Sequence, residues 1–171
     1  MPSNHLEQLI AEWYEYQGYF VRRNILVGKR EKGGYECELD IVAYHPKKKH
    51  LVHVEPSLDA DTWDERERRY RKKFDAGRKF IPNLFDGMTL PTQIEQYAVL
   101  VFASNINHKE IGGSKLVMVA DLLRDIFHEL KDKHLASNAV PEHLVILRSF
   151  QFATEYRKAI MEVWSQNGGK K

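Results

Sequence analysis

Apolar residues recur at helical spacing along the first segment of the chain. Leu6, Leu9, Ile10, Trp13 and Tyr14 fall at i, i+3, i+4, i+7 and i+8, one stripe of an amphipathic helix. This spacing predicts a helix over residues 4–17, and Gly18 stands where a left-handed terminating residue is usual. The period then changes. Residues 19–27 (YFVRRNILV) have the aromatic and β-branched content of a strand, and the polar stretch GKREKGG follows as a loop. Residues 35–44 (YECELDIVAY) alternate, with Cys37, Leu39, Ile41 and Ala43 on one side and Glu38, Asp40, Val42 and Tyr44 on the other. A third strand is expected over residues 50–57 (HLVHVEPS), after the basic turn HPKKK. Pro56 has no N–H to give, so the ladder is expected to end there.

Residues 59–79 are highly charged, yet Trp63, Tyr70 and Phe74 mark an amphipathic helix. Pro82 and the run NLFDGMTLP predict a loop. The continuous apolar run YAVLVFA at 97–103 reads as a strand covered on both faces, and 115–119 as a short strand. Asp121 can cap a helix that turns Leu122, Leu123, Ile126, Phe127 and Leu130 inward. The run at 143–147 fits either element. Ser149 can cap a last helix with Phe152, Tyr156, Ile160, Val163 and Trp164 on one stripe, and such aromatic stripes are expected in a core. Residues 167–171 are expected to be a disordered tail. Helix, three strands, helix and strand, followed by a further strand and helices, predict one α/β domain over residues 1–166, without internal repeats.

Composition adds bounds. With 171 residues, 43% hydrophobic and 29% charged, the chain has the balance of a soluble globular domain. Its longest apolar runs are too short to cross a bilayer, so no membrane partner is expected. The first ten residues lack a basic segment followed by an apolar one, so no secretory signal is expected. A single cysteine, Cys37, excludes an internal disulfide and fits a reducing, cytoplasmic location. The net charge of +2 and the sequence pI near 8.5 fall short of the pI above about 9 of a DNA-coating surface.

The chemistry concentrates on the hairpin. If Lys47 and Lys48 form a two-residue turn, facing residues have numbers that sum to 95, and Asp40 lies opposite Glu55. Facing side chains have Cβ atoms roughly 4.5–5.5 Å apart, where like charges destabilise. Two such carboxylates need a cation, or one of them must hold a proton. Mg²⁺ fits, because it takes oxygen ligands, commonly one or two carboxylates with waters, and the Pro56 carbonyl can add a third ligand. The competing reading is a half-exposed hairpin whose outer face simply carries Glu38, Asp40, His53 and Glu55. His53 shares the face of Glu55, either near a metal or phosphate or as a structural or solvent-facing residue.

Three segments, EQLIAEWYEYQGYFVRRN at 7–24, ELDIVAY at 38–44 and LVHVEPS at 51–57, together resemble the PD-(D/E)XK nuclease superfamily. That group includes many restriction endonucleases and the archaeal Holliday-junction resolvases. The resemblance implies a restriction-endonuclease-like αβββαβ core with a mixed central sheet flanked by helices, plus extra C-terminal helices. It places Asp40 at the motif aspartate and Glu55 at the acidic residue of (D/E)XK, with Mg²⁺ or Mn²⁺ between them. Glu7 takes the place of an extra acidic ligand on the first helix. It also fits a capping-box residue with Asn4 as the cap.

The motif lysine is absent: Ser57 stands there, and a hydroxyl can orient water but brings no charge. Ser57 can suffice; a lysine can reach in from Lys72, Lys73, Lys29 or Lys32; or cleavage has been lost and binding kept. The implied activity is a metal-dependent DNA endonuclease using Asp40, Glu55, Ser57 and Glu7, with Arg22, Arg23, Lys72 and Lys73 on the DNA and a homodimer left open. A non-catalytic nucleic-acid-binding or assembly subunit is the alternative, and a protein-interaction domain a third. The basic residues at 66–79 also fit a solvated helix face, since Asp64, Glu65 and Glu67 supply i, i+4 partners.

Overall fold

In the computed structural model, residues 4–85, 87–103 and 108–166 are described; the expected tail at 167–171 lies outside them. Contacts divide the chain into two compact units, Met1–Leu122 and Leu123–Lys171. The first unit opens with α1 (His5–Tyr16), which begins where the Asn4 side chain accepts the Glu7 N–H at 2.9 Å. It ends at Gly18, whose φ of 88° is costly for any residue with a Cβ.

Strands β1 (Phe20–Lys29), β2 (Tyr35–His45) and β3 (His50–Ser57) follow, then α2 (Trp63–Phe80) with a short 3₁₀ turn after it. Next come β4 (Glu95–Leu100), β5 (Glu110–Ile111) and β6 (Ser114–Met118). They form one mixed sheet in the order β1-β2-β3-β4-β6-β5. The pairs β1/β2, β2/β3 and β5/β6 are antiparallel, and β3/β4 and β4/β6 parallel. The mixed α/β architecture expected from the sequence is therefore present.

The centre of the sheet is covered on both faces, which is why Ile41, Val42, Ala43 and Tyr44 are all buried in succession. On one face Val42, Tyr44 and Leu51 pack with Ala76 of α2 and with Ile81 and Phe85 beyond it. Farther along that face, Ala98 and Leu100 of β4 and Leu116 of β6 pack on Tyr70 and Phe74 of α2. Burying Phe74 completely contributes on the order of 2–3 kcal/mol. The opposite face takes α1, with Leu6, Leu9 and Ile10 buried.

The hairpin register is the one the sum of 95 gives: Ile41 faces Val54, Val42 faces His53, and His45 faces His50. The turn, however, is four residues long, with Lys49 at φ 49° and its N–H bonded to the Pro46 carbonyl at 3.3 Å. Two lysines do not take the positive φ values of a two-residue turn, and the longer loop preserves the register. Pro56 does not end β3 against β4, where pairing runs through Ser57. It is the β2/β3 ladder that stops early, at Val54.

Helix α2 starts at Trp63, later than expected. Thr62 and Glu65 form a reciprocal capping box there, while Asp59 is drawn into side-chain contacts described below.

The second unit holds most of α3 (Val119–Leu130) with α4 (Val145–Glu155) and α5 (Arg157–Gln166). Its buried residues include Ile126, Leu130, Val140, Leu144 and Leu147. Helix α3 starts two residues before Asp121, which therefore sits in the first turn and is not the cap. The expected last helix is broken at Tyr156 into α4 and α5. Phe152, Tyr156, Val163 and Trp164 are exposed, Trp164 at 67%, so that stripe is not core as expected. The break at Tyr156 changes the helical phase, so the two halves of the stripe no longer share one face.

Candidate functional site

Asp40 and Glu55 meet where β2 and β3 part. The last backbone pair is Ile41–Val54, and one step beyond it the Asp40 N–H bonds the Glu55 side chain (Oε1, 3.2 Å) instead of the facing backbone. On the other side of Asp40, Asn24 of β1 adopts a φ of 52° and drops out of the β1/β2 pairing. The Asp40 segment is thus released from regular ladders on both sides.

Lys73 of α2 spans the two carboxylates. Its Nζ is 2.7 Å from Asp40 Oδ1 and also donates to Glu55 Oε2. The α2 positions that turn toward the sheet include Arg66, Tyr70, Phe74 and Gly77, a stripe at i, i+4, i+8 and i+11, with Ala76 beside it. Lys73 borders that stripe, beside Phe74 and three residues from Tyr70. Lys72, one residue earlier, is exposed and lines a different, larger cleft of about 680 Å³ with Arg68, Arg71 and Glu67. Of the four lysines considered from sequence, only Lys73 is brought to the pair by a described contact. The missed signal was helical phase: adjacent lysines point about 100° apart.

Glu55 is 0% exposed and surrounded by donors. Besides Lys73 and the Asp40 N–H, it takes His53 Nε2 at 2.7 Å. His53 is also 0% exposed, with Gln96 Nε2 3.0 Å from its Nδ1 and Phe74 in edge contact. Its ring is a buried partner of Glu55, not the solvent-facing residue that the sequence also allowed. Burial pushes its pKa down to about 3, aided by the Lys73 charge, so the ring is neutral.

Asp40 goes the other way. Burial and the neighbouring Glu55 charge raise its pKa to about 7, against the opposing pull of Lys73. Burial works against the Lys73 charge, but Glu55 and then Asp40 outweigh it and hold its pKa above the usual lysine value. One ammonium thus faces two carboxylates, and the site holds more negative charge than Lys73 alone offsets.

Glu55, Pro56, Ser57, Tyr70, Arg69 and Lys73 line a cleft of about 310 Å³, with Asn4 at its edge. The Ser57 hydroxyl donates to the Asp59 carboxylate and accepts the Asp59 N–H at 3.1 Å. Asp59 in turn holds Arg69 (2.6 Å) and Arg66 (3.4 Å). Ser57 therefore joins the end of β3 to the start of α2, and its proton is already committed. Glu7 lies on α1 with its carboxylate accepting from the Asn4 amide at 2.7 Å. Among the described residues no group of three or more His, Cys, Asp or Glu is arranged to hold a metal ion, so Glu7 completes no such set.

Arg22 bonds the Leu84 carbonyl at 2.7 Å, beyond α2, while Arg23 bonds Gln8 of α1. The two arginines thus lie on opposite faces, as strand alternation requires.

No family model and no curated protein matches the chain. Among solved structures, the crystal structure of a protein of unknown function, AF1548, is similar over 96% of this chain and 98% of that one. The identity is 17% and the TM-score 0.44, a likeness that carries no argument about fold or activity. Among the described residues no helix is long and apolar enough to cross a membrane.

Proposed function

We propose that the chain is a metal-dependent DNA phosphodiesterase with a restriction-endonuclease-like core, in which Asp40, Glu55 and Lys73 form the reactive centre. The observation that carries this reading is the Lys73 ammonium in contact with both carboxylates. It supplies from α2 the cation that the motif resemblance expects at position 57. The order α1-β1-β2-β3-α2-β4 fits the αβββαβ core.

The donor set suits Mg²⁺ or Mn²⁺. Two oxygen-bearing groups are enough protein ligands for an ion that keeps waters, and Lys73 alone leaves the pair under-neutralised. When bound by Asp40 and Glu55, with the Pro56 carbonyl as a further oxygen, such an ion would supply Lewis-acid polarisation of a phosphate and acidify a water. Glu55 is fixed in place by three donors and is the firmer ligand. Asp40, with its raised pKa, exchanges a proton for a cation. Lys73 then offsets charge gathering on the scissile phosphate. Arg69 at the cleft wall is placed for a neighbouring phosphate, a contact that carries no sequence information.

The test is plasmid cleavage with Mg²⁺ or Mn²⁺. Wild type should nick, and Asp40→Asn, Glu55→Gln and Lys73→Met should each lose about a hundredfold or more. Cleavage at the wild-type rate by all three variants would remove the assignment. A second reading rests on the same contact: Lys73 satisfies the carboxylates internally in a nucleic-acid-binding subunit without turnover. It expects salt-dependent DNA binding with no cleavage in either metal.

A further inference from the structure

Behind Glu55 runs a buried hydrogen-bonded chain that continues to the far edge of α2. Gln96 of β4 lies beside His53 in the parallel β3/β4 register. Its two amide ends are distinguishable by chemistry. The Phe74 carbonyl can only accept, so the group 2.9 Å from it is the NH₂ end. The Arg78 guanidinium can only donate, so the group it meets is the oxygen, which Ser114 Oγ also approaches at 3.5 Å. With the amide so fixed, its second N–H points at His53 Nδ1 at 3.0 Å. Nδ1 must then be the unprotonated nitrogen. The ring proton of the neutral imidazole sits on Nε2 and is given to Glu55 Oε1.

Room for this arrangement comes from Gly77. A Cβ there would stand 2.6 Å from His53 Cε1 and 2.9 Å from Gln96 Nε2, so any side chain would push into the ring and the amide. The helix has its one glycine at the point where the chain passes beneath it.

We infer that Gln96, oriented by Arg78, is a positioning residue that locks His53 in its Nε2–H tautomer and so holds Glu55 in one rotamer as a metal ligand. The inference rests on the proposed role of Glu55. Neither Gln96 nor Arg78 touches the reacting atoms; both act through His53. Outer partners of this kind commonly govern ten- to hundredfold in metal affinity.

The experiment is ¹⁵N NMR of the histidine rings, with the His53 signals identified by their loss in His53→Gln, together with Mn²⁺ binding measured by calorimetry. In wild type the His53 ring should be a single Nε2–H tautomer at neutral pH. In Gln96→Leu the tautomers should mix and Mn²⁺ affinity fall by about ten- to a hundredfold. His53→Gln, which keeps an N–H donor, should bind Mn²⁺ more tightly than His53→Leu. A wild-type ring in the Nδ1–H form or averaging between forms overturns the inference, and needs no variant to fold. An unchanged tautomer and unchanged affinity in Gln96→Leu also overturn it. Wild type that binds no Mn²⁺ removes the metal-dependent function and, with it, the ligand role of Glu55 inferred here. A locked tautomer with no Mn²⁺ binding therefore separates failure of the function from failure of the lock.

Discussion

Two clefts flank α2, and the proposed centre borders the smaller one. The larger is lined by charges of both signs, on exposed side chains apart from half-buried Glu67: Arg68, Arg71, Lys72 and Lys79 against Glu36, Asp64, Glu67 and Asp75. Its ion pairs, such as Arg71–Glu67 at 2.6 Å and Lys79–Glu36 at 3.1 Å, stand in water and are screened. At the smaller cleft Lys73 and Glu55 are lining residues, and behind it the lysine meets both Glu55, which is wholly buried, and Asp40. Volume and charge count favour the first cleft, where Glu67 is shifted down by its hydrogen bonds and Cys37 up by burial, yet the large shifts, those of Tyr70 and Lys73, lie at the second. Burial, not the number of charges, gives an electrostatic site its strength.

The contrast can be broken by mutation. The largest effect is expected for Glu55→Ala, which strands the buried His53 N–H, the Asp40 N–H and one contact of Lys73. Loss of about 3 kcal/mol or more in urea unfolding is expected, and a loss below about 1 kcal/mol would mean the pair is solvated. Gly77→Ala should cost about 1–3 kcal/mol by overpacking His53, read in the same assay. A helical Ala otherwise outperforms Gly, so a stabilised variant would refute the close approach.

Exchanging the two neighbouring lysines sharpens the comparison further. Lys73→Met should abolish nicking, while Lys72→Met changes unfolding by no more than about 0.5 kcal/mol and keeps nicking within a few-fold. Equal losses from both would erase the distinction between the clefts. The smallest effect is expected for Glu36→Gln, which removes the Lys79 pair at the surface. It should cost less than about 1 kcal/mol at low salt and nothing measurable in 0.5 M NaCl.

Much of the scaffold could be read from the sequence because its signals are local. Alternation over β3 gave the face shared by His53 and Glu55, and the hairpin register followed even though the turn was misread; over β2 the alternation fails at Asp40, since Cys37 and Leu39 pack with Val42 and Tyr44 and not on the opposite side. The register survived because a two-residue and a four-residue loop across the same centre share one pairing sum.

What could not be read depends on how separate elements meet. Lys73 and Lys72 look alike in a basic run, and only the seat of α2 on the sheet selects between them. Gln96 carries no motif, and its relation to His53 arises from a parallel pairing across 43 residues. The C-terminal stripe failed for the opposite reason. Its periodicity is real, but nothing in the sequence says that Tyr156 interrupts the helix.

The place of Lys73 on a helix also sets the mechanics of the proposed centre. A lysine two residues along the strand from Glu55 would be tied to it by the pleat, at a spacing no motion of the domain could alter. Here the anions belong to the sheet and the cation to α2. A slide or roll of that helix opens or closes the gap between them while the Asp40–Glu55 spacing stays fixed. The close seat of Gly77 on His53 and Gln96 sets where α2 rests against the sheet. The spacing between cation and anions is therefore set by the packing of α2 on the sheet, where a strand-borne lysine would have it set by the pleat.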